Sequence, residues 1–286
     1  MFKFKNIQRI FSIVFCYSLM VSCTSGNGQQ QTSTDHSNPS LVQYENNTIA
    51  SRFIPPAGYE RKNTNGFGKY LRELALMPKG SLVQYYDGSS KDSTGVYCAV
   101  VDQKIQNRDL HQCADAVMRQ YATYLFQNKK YDDISFTFQS GFKFPFKKWA
   151  QGYRVNVSKG GSWYKKTGAS YSAQTFQQYL TMVYAYCGTA SLEKDLKSVD
   201  MKNLQIGDVW IKGGHPGHAV LVVDMATNQS GHKMFLLAQS YMPAQQMQIL
   251  INPNNGSISP WYSLEDIKSS LETPEWEFSK NQLKRF

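Results

Sequence analysis

No phosphate-binding loop, GxGxxG, HExxH, GxSxG or CxxC occurs in the 286 residues. Their absence excludes the usual sequence signatures of nucleotide binding, zinc peptidases, nucleophile-elbow hydrolases and thioredoxin-like redox chemistry. Apolar runs long enough to cross a bilayer are missing too. The run from Ile10 to Val21 is far shorter than the roughly 20 residues a span needs, and it follows a basic start (Lys3, Lys5, Arg9). That combination reads as a signal peptide. Five cysteines are few, and two of them are accounted for by position.

"MVSC" (20–23) resembles a bacterial lipobox, in which cleavage precedes a cysteine that receives lipid. Residues 1–22 are therefore expected to be a lipoprotein signal peptide, and Cys23 the lipidated N-terminus of the mature chain. Residues 24–40, "TSGNGQQQTSTDHSNPS", contain no aliphatic or aromatic side chain and cannot bury enough surface to fold. With Cys23 they form a disordered tether, residues 23–40, whose coil dimension is roughly 20–25 Å. Thr24 stands where an inner-membrane retention signal would place Asp, which favours the outer membrane, facing periplasm or surface.

The formal charge is +10, and removing the leader's three cations leaves +7. A basic cytosolic protein would suggest nucleic acid, but a tethered envelope protein meets anionic lipid, glycan and peptidoglycan instead. No basic helix interleaved with aromatics is present, so no nucleic-acid partner is expected. The lysine pairs (129–130, 147–148, 165–166) read as solvated faces. Oligomeric state has no sequence signal.

Residues 41–286 read as one α+β globular domain, an antiparallel sheet with packed helices. A helix is expected over 67–76, and a strand, turn and strand over 81–103 with Cys98, Val96 and Val100 on one face. Asp109 is expected to cap a helix whose stripe is Leu110, Cys113, Ala114, Val117, Met118, Tyr121 and Leu125. Alternation predicts strands through Ile134–Phe138 and Tyr153–Val157. A helix over 172–187 ends at Gly188. "HAVLVVDMA" (218–226) and "KMFLLAQSYM" (233–242) form a hairpin rich enough in apolar residues to be buried on both faces. Ser263 caps a short helix, and "WEFS" is a final strand.

With Cys16 in the leader and Cys23 lipidated, Cys98, Cys113 and Cys187 remain, and three thiols cannot all pair. Cysteine catalysis needs a thiolate, a histidine to take its proton, and a polar group to orient that histidine. Cys113, in the first turn of its helix, has the position that lowers a thiol pKa. His218 begins its strand. If Ala226 faces Lys233, paired positions sum to 459, so Val220 faces Gln239, and Gln239 becomes the same-face diagonal neighbour of His218. A slip of one residue would turn it away. His215 and His218 lie three apart, but with no third ligand no metal site is expected, and no cofactor is implied.

The order of Cys on a helix, His at a strand start and an amide on the next strand is similar to papain-like cell-wall hydrolases of the NlpC and CHAP type. "GDVWIKGGHPGHAVLVVD" looks like their "GD", loop and His-led strand, whereas "HQCADA" departs from their usual "DCSG". The resemblance implies a papain-like fold with Cys113 as nucleophile, His218 as base and Gln239 as orienting residue, acting on peptide or amide bonds of cell-wall material. Most of residues 49–270 also resembles a family of uncharacterised Bacteroidota lipoproteins classified as a domain of unknown function, through "GKYLRELAL", "QCADAVMR", "WAQGYR", "GTASL", "GDVWIKGGHPGHAVLVVDMA" and "LLAQSYMPAQ". That resemblance implies export without an activity. The alternative is a non-catalytic envelope lipoprotein that holds glycan or peptide on aromatics such as Trp149, Tyr153, Trp163 and Tyr241.

Overall fold

A computed structural model describes residues 37–92 and 95–286. The leader, Cys23 and most of the tether lie outside the described residues. Among the described residues, six helices and an antiparallel sheet establish an α+β fold. The main sheet has eight strands. Seven run in the order Tyr97–Val100, Gln248–Leu250, Lys233–Gln239, His218–Thr227, Val209–Lys212, Leu283–Arg285 and Lys197–Ser198, and Tyr262–Ser263 adds to Lys233–Gln239. Among the described residues, no helix is long and apolar enough to cross a membrane.

The central hairpin is buried on both faces because its strands carry no polar alternation. Val220, Leu221, Val222 and Val223 are all inaccessible. Ala219, Leu221 and Val223 face the helices, including Cys113–Gln127, whereas Val220 and Val222 face Trp210, Leu250, Tyr262 and Phe278. Each such side chain contributes about 1.5–3 kcal/mol, so the register is strongly fixed.

That register differs from the expectation at the turn and agrees with it at the other end. Thr227 pairs with Lys233 and Ala226 with Met234, a sum of 460, but Val222 pairs with Leu237 and Leu221 with Ala238, a sum of 459. The change occurs at a β-bulge between Val222 and Asp224. One extra residue on the first strand reverses which face its even-numbered positions occupy. Asp224, at the bulge and fully buried, is held by Arg61 at 2.7 Å and Arg72 at 2.6 Å. Its Oδ1 also accepts the Met225 N–H at 2.8 Å.

Other boundaries moved for local reasons. The first predicted helix is Gly66–Arg72. Gln84 and Tyr85 make only isolated bridges, to Ser90 and Gln245. Cys98 falls in a register shift between Tyr97 and Ala99, so it packs with the helix-side core while Val100 joins Val83 and Tyr97. The segment after Ser263 is a single 3-10 turn, Leu264–Asp266. Glu277–Ser279 pairs with Ser270–Glu272 outside the main sheet, and Leu283–Arg285 is the last strand. Gly188 does not stop the second long helix in a left-handed conformation; it is extended and caps a further helix, Thr189–Asp195.

Removing one partner of a buried charged group leaves the others uncompensated. Asp224→Ala is therefore expected to lower unfolding free energy by about 3–5 kcal/mol, read as a shifted urea midpoint.

Candidate functional site

The helix bearing Cys113 runs Cys113–Gln127, with Gln112 rather than Asp109 as its N-cap. Asp109 instead accepts from the Gln112 side chain and from the Ala244 N–H, tying the loop after Gln239 to the helix entrance. Cys113 is thus the first helical residue, where backbone N–H groups have no intrahelical acceptor. Its sulfur lies against the amides of Ala114 and Ala219, and Ala219 is the residue after His218. Those amides favour the thiolate, but burial outweighs them. Desolvation, reinforced by the neighbouring Asp115 carboxyl, pushes the Cys113 thiol up to about 11. The thiolate expected from the helix terminus alone is therefore not the resting state.

His218 and Gln239 meet as the diagonal pairing required: His218 Nε2 lies 2.8 Å from Gln239 Oε1. The imidazole is enclosed by Tyr241, Trp276 and Phe278, with ring centroids 4.8, 5.3 and 5.9 Å away. Burial lowers its pKa to about 4, against the opposing pull of the Gln239 hydrogen bond. Gln239 Nε2 donates to Glu275 Oε2 at 2.6 Å, and Glu275 is clamped by the buried Lys91 ammonium at 2.7 Å. Lys91 and Glu275 carried no sequence signal, since their roles depend on loops 184 residues apart.

This chain of contacts fixes a proton. A carboxylate paired with an ammonium only accepts, so the amide nitrogen of Gln239 faces Glu275 and its oxygen faces His218. That oxygen also only accepts, so neutral His218 carries its proton on Nε2. Nδ1 is then a bare lone pair, and among the described residues it has no hydrogen-bond partner, the Cys113 thiol included. A buried unpaired nitrogen costs stability unless it has a use.

Beside Cys113 is a cavity of about 240 Å³, bordered by Asp115, Gln139, Cys187, Met242 and the Gly214–Gly217 loop. Glycine at 217 is required for space. A Cβ there would lie 2.3 Å from Thr189 Oγ1 and 2.6 Å from the Gly214 carbonyl, so the loop before His218 fits closely against the Thr189–Asp195 helix. Asp115 Oδ2 accepts the Gln112 N–H at 3.0 Å, while Oδ1 is buried with no partner among the described residues.

The aromatic candidates separate. Tyr241 joins the site, over His218. Trp149 is 5% exposed, donates its indole N–H to Thr175 O and lies under Arg154, so it is a core residue and not ligand-binding surface. Tyr153 and Trp163 lie on a separate hairpin and do not border the cavity. His111, two residues before the cysteine, is buried against Tyr184 and was not anticipated. None of Cys98, Cys113 and Cys187 is in a disulfide. Among the described residues, no three His, Cys, Asp or Glu side chains are grouped to hold a metal.

A family described as domain of unknown function (4846) matches residues 49–285, which include Cys113, His218, Gln239, Lys91 and Glu275. The chain belongs to that family. No curated protein and no solved structure matches it.

Two outcomes test this electrostatic description. Iodoacetamide alkylation of Cys113, followed by mass spectrometry, is expected to accelerate with pH up to about 11, and Asp115→Asn to move that midpoint lower. Two-bond ¹H–¹⁵N correlation spectra are expected to place the neutral His218 proton on Nε2, with Glu275→Gln, which can donate as well as accept, populating the other tautomer.

Proposed function

We propose that this chain is an outer-membrane-anchored lipoprotein whose domain is a papain-like cysteine hydrolase acting on peptide or amide bonds of cell-wall material. The observation that carries the reading is His218, held in the Nε2–H form by Gln239 with its opposite nitrogen unpaired. It begins a strand whose next amide touches the Cys113 sulfur. The lipobox and tether support the location, and the helix–strand–strand order of Cys, His and amide supports the architecture.

The proposed reaction requires the Cys113 thiol and His218 Nδ1, which share no hydrogen bond in this structure, to meet at the end of the sheet; Cys113 Sγ then forms a bond to the substrate carbonyl carbon as His218 Nδ1 takes the thiol proton. The carbonyl electron pair moves onto oxygen, where the unpaired amides of the helix entrance can stabilise it. Gln239 Oε1 holds the Nε2–H and so orients the imidazolium. Collapse breaks the C–N bond, and His218 returns its proton to the leaving nitrogen. Water, deprotonated by His218, then hydrolyses the thioester and regenerates the thiol.

Incubating the protein with peptidoglycan fragments tests the reading. Cys113→Ala and His218→Ala are expected to abolish release of new amines, and Gln239→Ala to reduce it about 10²-fold, the usual scale for general-base placement. Activity should fall on the acid side as His218 protonates near its depressed pKa of about 4, rather than near 6.5. Fragments bound but uncleaved by wild type would favour the binding lipoprotein. Equal cleavage by Cys113→Ala would remove the nucleophile.

A further inference from the structure

The formal charge of +7 that remains without the leader is not spread over the fold. Between Ile134 and Leu192 there are seven lysines and arginines and no aspartate or glutamate, so the rest of the post-leader chain sums to zero. That acid-free stretch folds into two small hairpins, Ser135–Thr137 with Lys143–Pro145 and Tyr153–Asn156 with Ser162–Lys165, plus the Phe146–Ala150 and Ala173–Tyr186 helices. The hairpins pack side by side. Ser140 Oγ donates to Gly160 O at 2.9 Å, and Trp163 stacks on Phe144 with centroids 5.4 Å apart.

Their cations largely lack carboxylate partners, although Lys165 donates to Gln151 O and Arg154 to Trp149 O and Tyr153 O. Lys143, Lys147, Lys165 and Lys166 are exposed, and Lys148 and Arg154 partly so. Among the described residues, the one ion pair in this group is Lys147 with Asp132. Lys148 and Lys165 both approach the Tyr153 ring, at 5.3 and 5.0 Å from its centroid, so two ammonium groups share one aromatic without a carboxylate between them. The same stretch carries Val157, Tyr164, Tyr171 and Tyr186, four of the five large apolar side chains exposed among the described residues. Solvated lysine pairs, the reading from sequence alone, do not account for that coincidence.

We infer that the paired hairpins and their flanking helices form a face that binds an anionic lipid surface. Lysines that extend their stems and keep the ammonium among headgroups, with tyrosines at the level of the interface, are the combination such a surface selects. Exposed tyrosine rings beside ammonium groups that lack carboxylate partners suit the interface of an anionic bilayer, where rings and cations sit at the same depth. The inference uses the proposed envelope location only for access to such a surface; it does not involve Cys113.

Each lysine near an anionic bilayer is worth roughly a fivefold gain in partition. The test is partition of the full, unlipidated chain onto phosphatidylcholine vesicles with and without about one-third phosphatidylglycerol. Wild type is expected to prefer the anionic vesicles and to lose that preference as salt rises. Lys148→Glu/Lys165→Glu/Lys166→Glu should reduce binding on the order of a hundredfold. Lys62→Glu/Lys104→Glu/Lys268→Glu, which reverses as many exposed charges elsewhere, should leave it within a few-fold; the leader is common to all three chains. Equal losses in both triple variants would reduce the effect to net charge and overturn the inference. So would absence of any anionic preference, or binding to soluble dextran sulfate without binding to vesicles. Loss of peptidoglycan cleavage in Cys113→Ala with vesicle binding intact would show the two proposals standing or falling separately.

Discussion

Asp224 is a carboxylate on a sheet face made otherwise of hydrocarbon, and the arrangement around it decides where the site residues point. Two arginines from the N-terminal segment converge on it, and its own strand bulges beside it. The bulge inserts one residue, so alternation is reversed between Ala226 and Val222. Without it the hairpin would keep the pairing set at the turn, and His218 would fall on the helix side with Ala226. With it, His218 shares a face with Gln239 and reaches hydrogen-bond distance. An ion cluster far from any reacting atom thereby sets the orientation of the proposed base.

Burial then sets the charge states. A helix terminus favours a thiolate by at most about 2 kcal/mol, and here removal from water and the Asp115 carboxyl oppose it more strongly. The same enclosure keeps His218 neutral. With the thiol near 11 and the imidazole near 4, a preformed thiolate–imidazolium pair is disfavoured by roughly 9 kcal/mol at ~1.36 kcal/mol per unit. Even if the two groups came within about 4 Å, mutual attraction would return only about 4 kcal/mol in a medium of effective dielectric near 20. For the proposed hydrolase this favours proton transfer in concert with attack on a bound carbonyl over transfer before it. Gln239 and Glu275 matter in that regime, because a neutral base works only in the correct tautomer.

The sequence made elements with a strong period legible and left distant couplings hidden. Two-sided burial of "HAVLVVDMA" and the stripe of Phe176, Tyr179, Leu180 and Val183 were readable from side-chain type alone. The pairing of His218 with Gln239 was reached from an assumed turn register that is off by one, and the bulge compensated. Nothing in "VVD" announces a bulge, and the arginines that meet the Asp224 carboxylate beside it, Arg61 and Arg72, lie more than 150 residues away. Cys98 was misplaced for the same kind of reason, a register shift set by its partner strand. Trp149 was taken for surface because an aromatic beside lysines reads equally as platform or core, and only packing against Phe144 and Arg154 distinguishes them. Lys91 and Glu275, and the concentration of unpaired charge on the hairpins, exist only once loops and hairpins are brought together.

That concentration bears on the site through one turn of chain. Gln139 borders the Cys113 cavity, and its backbone N–H bonds to Tyr186 O at the end of the Ala173–Tyr186 helix. The next residue, Ser140, bonds to Gly160 and so fixes the second hairpin against the first. A side chain added at Gly188 would meet Gln139 within 2.9 Å, so the turn, the helix end and the cavity wall are packed as one piece. A surface held by the lysines and tyrosines of these hairpins would therefore be mechanically continuous with the wall of the cavity. Docking there, as inferred above, would restrain Gln139 and Gly188, whereas the Gln239–Glu275 contact that orients His218 is not part of that packed unit. The expected consequence for chemistry is a change in how substrate enters and is held, with the protonation of the base left as the buried Gln239–Glu275–Lys91 chain sets it.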